Sequence, residues 1–407
     1  MKFNKWTLGL AALGVVSLAS AARADEAKLS QVQTALSNTT LSGYVDVAAI
    51  WRPGTDQGPA TGFPGGYGAN SGTANIPASS FSKNDGFYLN VVDLALDKPM
   101  DEGPWASGYH IELQVGPDTI TTPRQAYITL RTPLGNGIDW KVGVFDTIIG
   151  YESNSDPLNP NYTRSYGYTI EPTTHTGVTA TYKVSDAFSF TAGVADGSNA
   201  GPAPAPVNGI ATYESQKAYM GNIALTAPDS FGALKGATLT LGIIDGVDSS
   251  LTASGTGTKV NYFAGLSLPT PSSAVKLGGA FDYLRFDNKG GANANNDSVW
   301  VAGAYVTISA SDKLSFNFRG EFVDATQIGS AGLPLSPNPL GAAYAGHHAE
   351  ELTATVQYQV WANVLSRVEF RWDHVEANAF GYSQGGTTGI PNRDNDFMLA
   401  LNLIYQF

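Results

Sequence analysis

Two groups of side chains mark where this chain could act on something else. The first lies on one stretch, residues 146–174: Asp146, Tyr151, Glu152, Asp156, Arg164, Tyr166 and Glu171. The second is scattered: Glu112, Lys141, Lys183, Arg319, Glu321, Arg367, Glu369 and Arg371. Arg319 and Glu321, and then Arg367, Glu369, Arg371 and Asp373, fall on every second residue. An extended chain puts such residues on one face, so these charges form ladders. Mixed charge on a surface, opposed by acids on a loop, makes no bonds; it sets an electric field across the gap between them.

Bond-making constellations are weaker. His347 and His348, with Glu350 and Glu351, have the types to bind a divalent metal, but a surface His pair is more often solvated. Ser366 and His374 share a strand face eight residues apart, roughly 26 Å along an extended chain and beyond hydrogen-bond reach. The preceding stretch, Leu352 to Val360, offers no Ser on the matching face. The sequence therefore points to no catalytic residue, no metal and no cofactor.

The elements that must position the two groups are strands. In the last eleven residues Phe397, Leu399, Leu401, Leu403, Tyr405 and Phe407 alternate with Met398, Ala400, Asn402, Ile404 and Gln406. This is a period of two with one uncharged greasy face, at about the 9–11 residues that cross a bilayer as a tilted strand. The pattern recurs from Leu41 onward and gives sixteen strands, the facing of the second (Phe87 to Leu96) being the least defined. Short turns, such as Ser185-Asp186 and Trp361 to Asn363, alternate with longer connections that begin at Pro53, Asp146, Asp196, Asp245, Asp287, Asp324 and Glu376. Outward aromatics gather at both ends of the strands, Trp105, Trp140 and Tyr405 at one and Trp51, Trp300 and Trp372 at the other. The expected fold is all-β, a 16-stranded antiparallel transmembrane β-barrel with short periplasmic turns, long extracellular loops and two aromatic girdles.

Composition agrees. Charged residues are 14%, well below the roughly 25% of soluble domains, and Cys is absent, so no disulfide framework or lipid-modified Cys exists. Residues 1–24 combine Lys2 and Lys5, an apolar run from Leu8 to Leu18 and Ala22-Arg23-Ala24, the pattern of a secretory signal peptide. Residues 25–39 read as a short periplasmic leader, possible as a helix but too short for a plug domain. Residues 40–407 are the barrel. The three basic residues of the signal removed, the chain keeps 20 basic against 35 acidic residues, which argues against nucleic acid as a partner.

The faces opposite the greasy ones carry too many charges to be buried dry, so they should line water. Barrels of about 16–18 strands are wide enough for an aqueous channel. Residues 146–174, some 29 in all, are longer than loops run without a role and are the candidate to narrow it. Lys141 and Lys183 are the expected basic counterpart on the wall.

Several stretches carry a resemblance: Val144-Phe145-Asp146-Thr147 with Gly150-Tyr151-Glu152, then Asn159-Pro160-Asn161-Tyr162 with Arg164-Ser165, then Pro172-Thr173-Thr174-His175-Thr176-Gly177, and the aromatic end at Phe407. With them the chain resembles bacterial outer-membrane porins, and more closely the putative beta-barrel porin (OmpL-like) family. The resemblance implies an outer-membrane protein of a Gram-negative cell, in contact with outer-membrane lipid, through which small polar solutes or ions diffuse passively. Homo-oligomers, trimers above all, are usual in sixteen-stranded porins, but the short connection Gly116 to Thr121 is poorly suited to latching onto a neighbour. The acidic balance leads us to expect a weak cation preference. The other reading is a non-conducting barrel that serves as a surface anchor or adhesin.

Overall fold

A computed structural model describes residues 38–53, 85–116, 123–198, 217–247, 257–288, 296–325, 348–375 and 394–407. The signal peptide 1–24, the leader up to residue 37, His347 and most of the long connections lie outside the described residues.

Sixteen strands close into one antiparallel barrel in which each pairs with its sequence neighbours. They are β1 (Thr40–Trp51), β2 (Gly86–Lys98), β3 (Ser107–Val115), β4 (Pro123–Thr132), β5 (Ile138–Asp146), β6 (Thr174–Lys183), β7 (Phe188–Ala195) and β8 (Ala218–Thr226). Then follow β9 (Thr238–Val247), β10 (Gly257–Pro269), β11 (Val275–Asn288), β12 (Asn296–Ser309), β13 (Leu314–Ala325), β14 (His348–Trp361), β15 (Val364–Val375) and β16 (Asn395–Gln406). The chain's final residue completes the closure. Phe407 donates its N–H to the Gly43 carbonyl at 3.0 Å and accepts from the Gly43 N–H at 3.1 Å, so β16 is hydrogen-bonded to β1 to its last atom. Closure leaves no strand edge, the condition for a sheet to survive in lipid.

The alternation read from β16 holds in space. Leu401 is 54% exposed on the outer face while its neighbours Ala400 and Asn402 are buried inside. Outward Leu, Val, Ile, Phe and Tyr recur at comparable exposure on every strand but β6, the surface that acyl chains would cover. Rings pack across strands at the long-loop rim: Tyr262 on Tyr283, Phe281 on Trp300, and Trp300 on Phe322 at 5.4 Å between centroids. At the short-turn rim Tyr182 and Phe188 both pack on Phe190.

Two bulges explain where alternation is hardest to read. Between Asp46 and Val47 of β1 the register with β2 shifts, so that Asn90 is the extra residue. Phe87 and Leu89 therefore face out on odd numbers, whereas Leu94 and Leu96 face out on even ones, and Asn90 and Val91 are both inside. An inserted residue switches the face of everything after it. A second shift, between Glu112 and Leu113 of β3, turns both Arg124 and Gln125 of β4 inward, where both are buried.

The interior departs from a uniformly polar lining. One apolar cluster joins Phe145, Ile149, Ala195, Ala218, Met220, Ile244 and Phe263; another joins Ala48, Ile50, Tyr162, Met398 and Ala400. Each contains a residue from 146–174, because that segment packs against the inner wall.

Candidate functional site: the segment inside the barrel

Asp146 ends β5, and the segment that follows returns to β6 at Thr174. Its neck is closed by the Thr147 N–H donating to the Thr173 carbonyl at 2.9 Å. Arg124 braces the entry: its guanidinium takes both Asp146 oxygens and, at 2.7 Å, Glu112 on β3. Ile149 then enters the first apolar cluster, and Tyr151 stacks on Tyr305 of β12 at 4.2 Å. Gly278 on β11 makes room for that stack, since a Cβ there would lie 1.7 Å from the Tyr151 hydroxyl. We expect Gly278→Val to push Tyr151 off Tyr305 and lower the unfolding midpoint in urea, whereas Gly279→Ala, whose added methyl meets nothing closer than 3.7 Å, should not. Equal midpoints for the two variants would contradict this packing.

Past Tyr151 the chain makes a 3-10 turn over Asp156–Leu158, tied by Asn159, which accepts from the Ser153 N–H and donates to the Ser153 carbonyl. A short helix, α1 (Tyr166–Ile170), follows, capped by the Ser165 hydroxyl accepting from the Tyr168 N–H at 3.0 Å. Every residue from 161 to 175 is buried, and the exposed part of the segment is confined to the stretch around the turn.

An irregular backbone at membrane depth survives only where protein groups satisfy its N–H and C=O groups. Here the charge ladders do so. Glu369 accepts the N–H groups of Tyr162 and Thr163 at 2.5 and 2.9 Å, and Glu321 those of Tyr166 and Gly167 at 2.7 and 3.2 Å. Arg319 donates to the Thr163 carbonyl at 2.7 Å, Arg367 to that of Asn159 at 2.5 Å and Arg371 to that of Arg164 at 2.8 Å. Asn261 on β10 holds the Ile170 carbonyl. Acids on β13 and β15 thus accept the segment's N–H groups while the arginines beside them donate to its carbonyls.

Side chains complete the seat. Glu152 bonds Arg319 at 2.9 Å, with Glu351 on β14 taking the other edge of the guanidinium. Tyr166 donates to Asp373 at 2.6 Å and lies under the Arg371 guanidinium. Burial, and next the neighbouring Asp282 carboxyl, push Glu171 well above the usual carboxylate range.

The residues singled out by sequence divide accordingly. Tyr151, Glu152, Tyr166, Arg319, Glu321, Arg367, Glu369 and Arg371 converge on the buried seat. Asp156 bonds Arg164 at 2.6 Å within the segment, and Asp146 and Glu112 meet at Arg124. Lys183 and Lys141 meet none of the segment's acids at salt-bridge distance. Lys183 ends β6 and pairs with Asp186 in the short turn, while the Lys141 ammonium lies 4.5 Å above the Tyr127 ring, which stacks on His110. The expectation that the charged faces line water does not hold for the β15 ladder, where Arg367, Arg371 and Glu369 are at most 1% exposed. Sequence reasoning also passed over Arg124, Asn261 and Tyr305. The bulge hides Arg124 from any reading by alternation, and Tyr305 looks like any inward aromatic. Among the described residues no cluster of His, Asp or Glu has the grouping to hold a metal ion.

A closed sixteen-stranded barrel, greasy outside and charged within, with a long segment folded into its lumen, belongs to the class of outer-membrane porin-type barrels. The model of the family described as putative beta-barrel porin-2, OmpL-like, matches residues 38–407, and the chain belongs to that family. Among solved structures it is similar in fold to the outer-membrane channel DcaP of Acinetobacter baumannii, with a TM-score of 0.57 and 13% identity over 91% of this chain and 97% of that one. It is similar to an anion-selective porin from Comamonas acidovorans, with a TM-score of 0.56 and 12% identity over 91% and 99%. It is also similar to OmpT of Vibrio cholerae, with a TM-score of 0.54 and 10% identity over 91% and 97%. A search among curated proteins gives no significant match.

Proposed function

We propose that the protein is a diffusion porin: small hydrophilic solutes or ions pass down their gradients through a water-filled lumen that residues 146–174 narrow. The observation that carries this reading is the inward fold of that segment, whose backbone is held by Arg319, Glu321, Arg367, Glu369 and Arg371 on the far wall. In this reading Lys141 and Asp146 on β5, which are only partly buried, would border the passage. No covalent step is needed, and catalysis has no part in this reading. Export by residues 1–24 brings the chain to the outer membrane, where its outer face meets lipid.

The solute preference follows from charge. Among the buried ionisable side chains, eleven carboxyl groups stand against seven cations, and the whole chain has a net charge of −12. Such a lumen concentrates small cations. In a salt gradient across a planar bilayer, the reversal potential should therefore take the sign of a modest cation preference and shrink at high ionic strength. A potential of the opposite sign would contradict the assignment. Swelling of protein-containing liposomes in isosmotic sugars of rising size tests the diffusion route itself: entry should fall steeply with solute radius, and no entry of even the smallest sugar would exclude the reading.

A further inference from the structure

One row of polar side chains faces outward rather than into the lumen. Glu350 on β14, His374 on β15 and Asn395 on β16 are consecutive cross-strand partners at the long-loop end of the barrel. They share the parity of Leu352, Phe370 and Phe397, which are exposed on the lipid side. The row directly beneath them is Leu352, Trp372 and Phe397, and the next is Ala354, Phe370 and Leu399. Glu350 lies two residues inside the start of β14, about 7 Å along the strand. That is the depth of the membrane interface, where a charge on the lipid face costs little.

Hydrogen bonds fix how the row presents itself. Asn395 Oδ1 accepts from the Trp372 indole N–H at 2.9 Å and from His374 Nδ1 at 3.0 Å. An indole N–H only donates, so the amide is held oxygen-first and both donors of its NH2 end are left over. The same contact makes Nδ1 the protonated nitrogen of a neutral His374, which leaves Nε2 to accept. The Trp372 ring, stacked on the imidazole at 5.8 Å, keeps it in place. Glu350, exposed, forms no hydrogen bond or ion pair among the described residues.

We propose that Glu350, His374 and Asn395 bind the sugar headgroup of a lipid in the leaflet on the long-loop side, its chains lying over Trp372, Phe370 and Phe397. A hydroxyl both donates and accepts. Neighbouring hydroxyls of one sugar can therefore give protons to Glu350 and His374 Nε2 and take one from the Asn395 amide. The three strands present these groups about 4.8 Å apart, within the span of a sugar ring and its substituents. A phosphate headgroup fits poorly, because it would face the Glu350 carboxylate. The occupant is a lipid rather than a dissolved sugar because the row stands directly on the apolar band, with an indole at the boundary. Asp245 on β9 shares the outward parity of Ile243, but its cross-strand partners are Tyr219 and Val260, so no such row forms there.

The test uses the full barrel in a polyoxyethylene detergent, which carries no sugar. Glucosyl diacylglycerol and phosphatidylglycerol with the same acyl chains are added in equal amounts, and the lipids retained are counted by native mass spectrometry. The glucosyl lipid should be preferred by roughly tenfold, the factor that one hydrogen bond to a charged group carries. Glu350→Leu combined with Asn395→Leu should bring the ratio close to one, while Asp245→Leu should leave it as in the parent. Gel mobility before and after heating checks that each protein is a closed barrel, which outward changes to Leu leave intact. Equal retention of both lipids by the parent, or a preference that survives the double change, overturns the proposal. So does displacement of the glucosyl lipid by an equal concentration of free methyl glucoside, which would mean a site for dissolved sugar. Conductance enters none of these readings, so the lipid site and the diffusion route stand or fall separately.

Discussion

Replacing Tyr151 to Tyr168 by a short Gly-Ser link should raise single-channel conductance by about twofold or more, since a sixteen-stranded tube without its inner segment is an open aqueous bore. The barrel wall needs nothing from the segment for its own pairing: the ladder is continuous from β1 round to β16. The deletion does uncover Arg319, Arg367 and Arg371, but water then solvates them, and their acidic neighbours Glu351, Glu369 and Asp373 stay in place on the wall. The trimmed barrel should also lose much of its discrimination by solute size. Unchanged conductance in a trimmed protein that is correctly folded would show that the segment does not limit the passage.

The second large effect is on stability. Arg319→Leu should destabilise the protein by about 3–5 kcal/mol, the range for removing one partner from a buried ionic cluster. The guanidinium stands at the meeting point of Glu152, Glu321 and Glu351, and it also holds the Thr163 carbonyl. Without it Glu152 and Glu321 lose their salt-bridge partner, and Glu351 keeps only Arg371 at 3.9 Å. Arg319→Lys keeps the charge but loses the fork that serves several partners at once, so it should rescue only part of the loss. The reading is the urea midpoint of unfolding in detergent. A cost below about 1 kcal/mol, the range of exposed pairs, would mean that the cluster is solvated after all.

The barrel was legible in the sequence because lipid and lumen demand opposite side chains on successive residues, a demand that every strand repeats. Sixteen strands and their order follow from the alternation of Leu399, Leu401 and Leu403 and its counterparts. What alternation cannot register is a break in its own period. Asn90 and Arg124 sit at bulges, and there the parity of β2 and the inward turn of a key guanidinium were lost.

The site was half legible for a different reason. Arg367, Glu369 and Arg371 plainly shared a face, but a face gives no clue to what covers it. A charge ladder reads the same in sequence whether water or a second backbone lies against it. Only the path of residues 146–174 decides, and that path depends on contacts such as Tyr151 on Tyr305 and Tyr162 against Ala48 and Met398. Those partners lie more than a hundred residues from the segment or on strands far round the barrel. Lys141 and Lys183 form no salt bridge with the segment's acids among the described residues, because the segment leaves the β5–β6 wall and seats itself on β13 to β15.

The central claim, a barrel wet enough inside to conduct, is tested most directly by adding the purified protein to a planar lipid bilayer and recording current at fixed voltage. The account predicts discrete upward steps of uniform size, near-linear in voltage and proportional to salt concentration. Protein that inserts, resists heat unfolding as a closed barrel and still passes no current would contradict it.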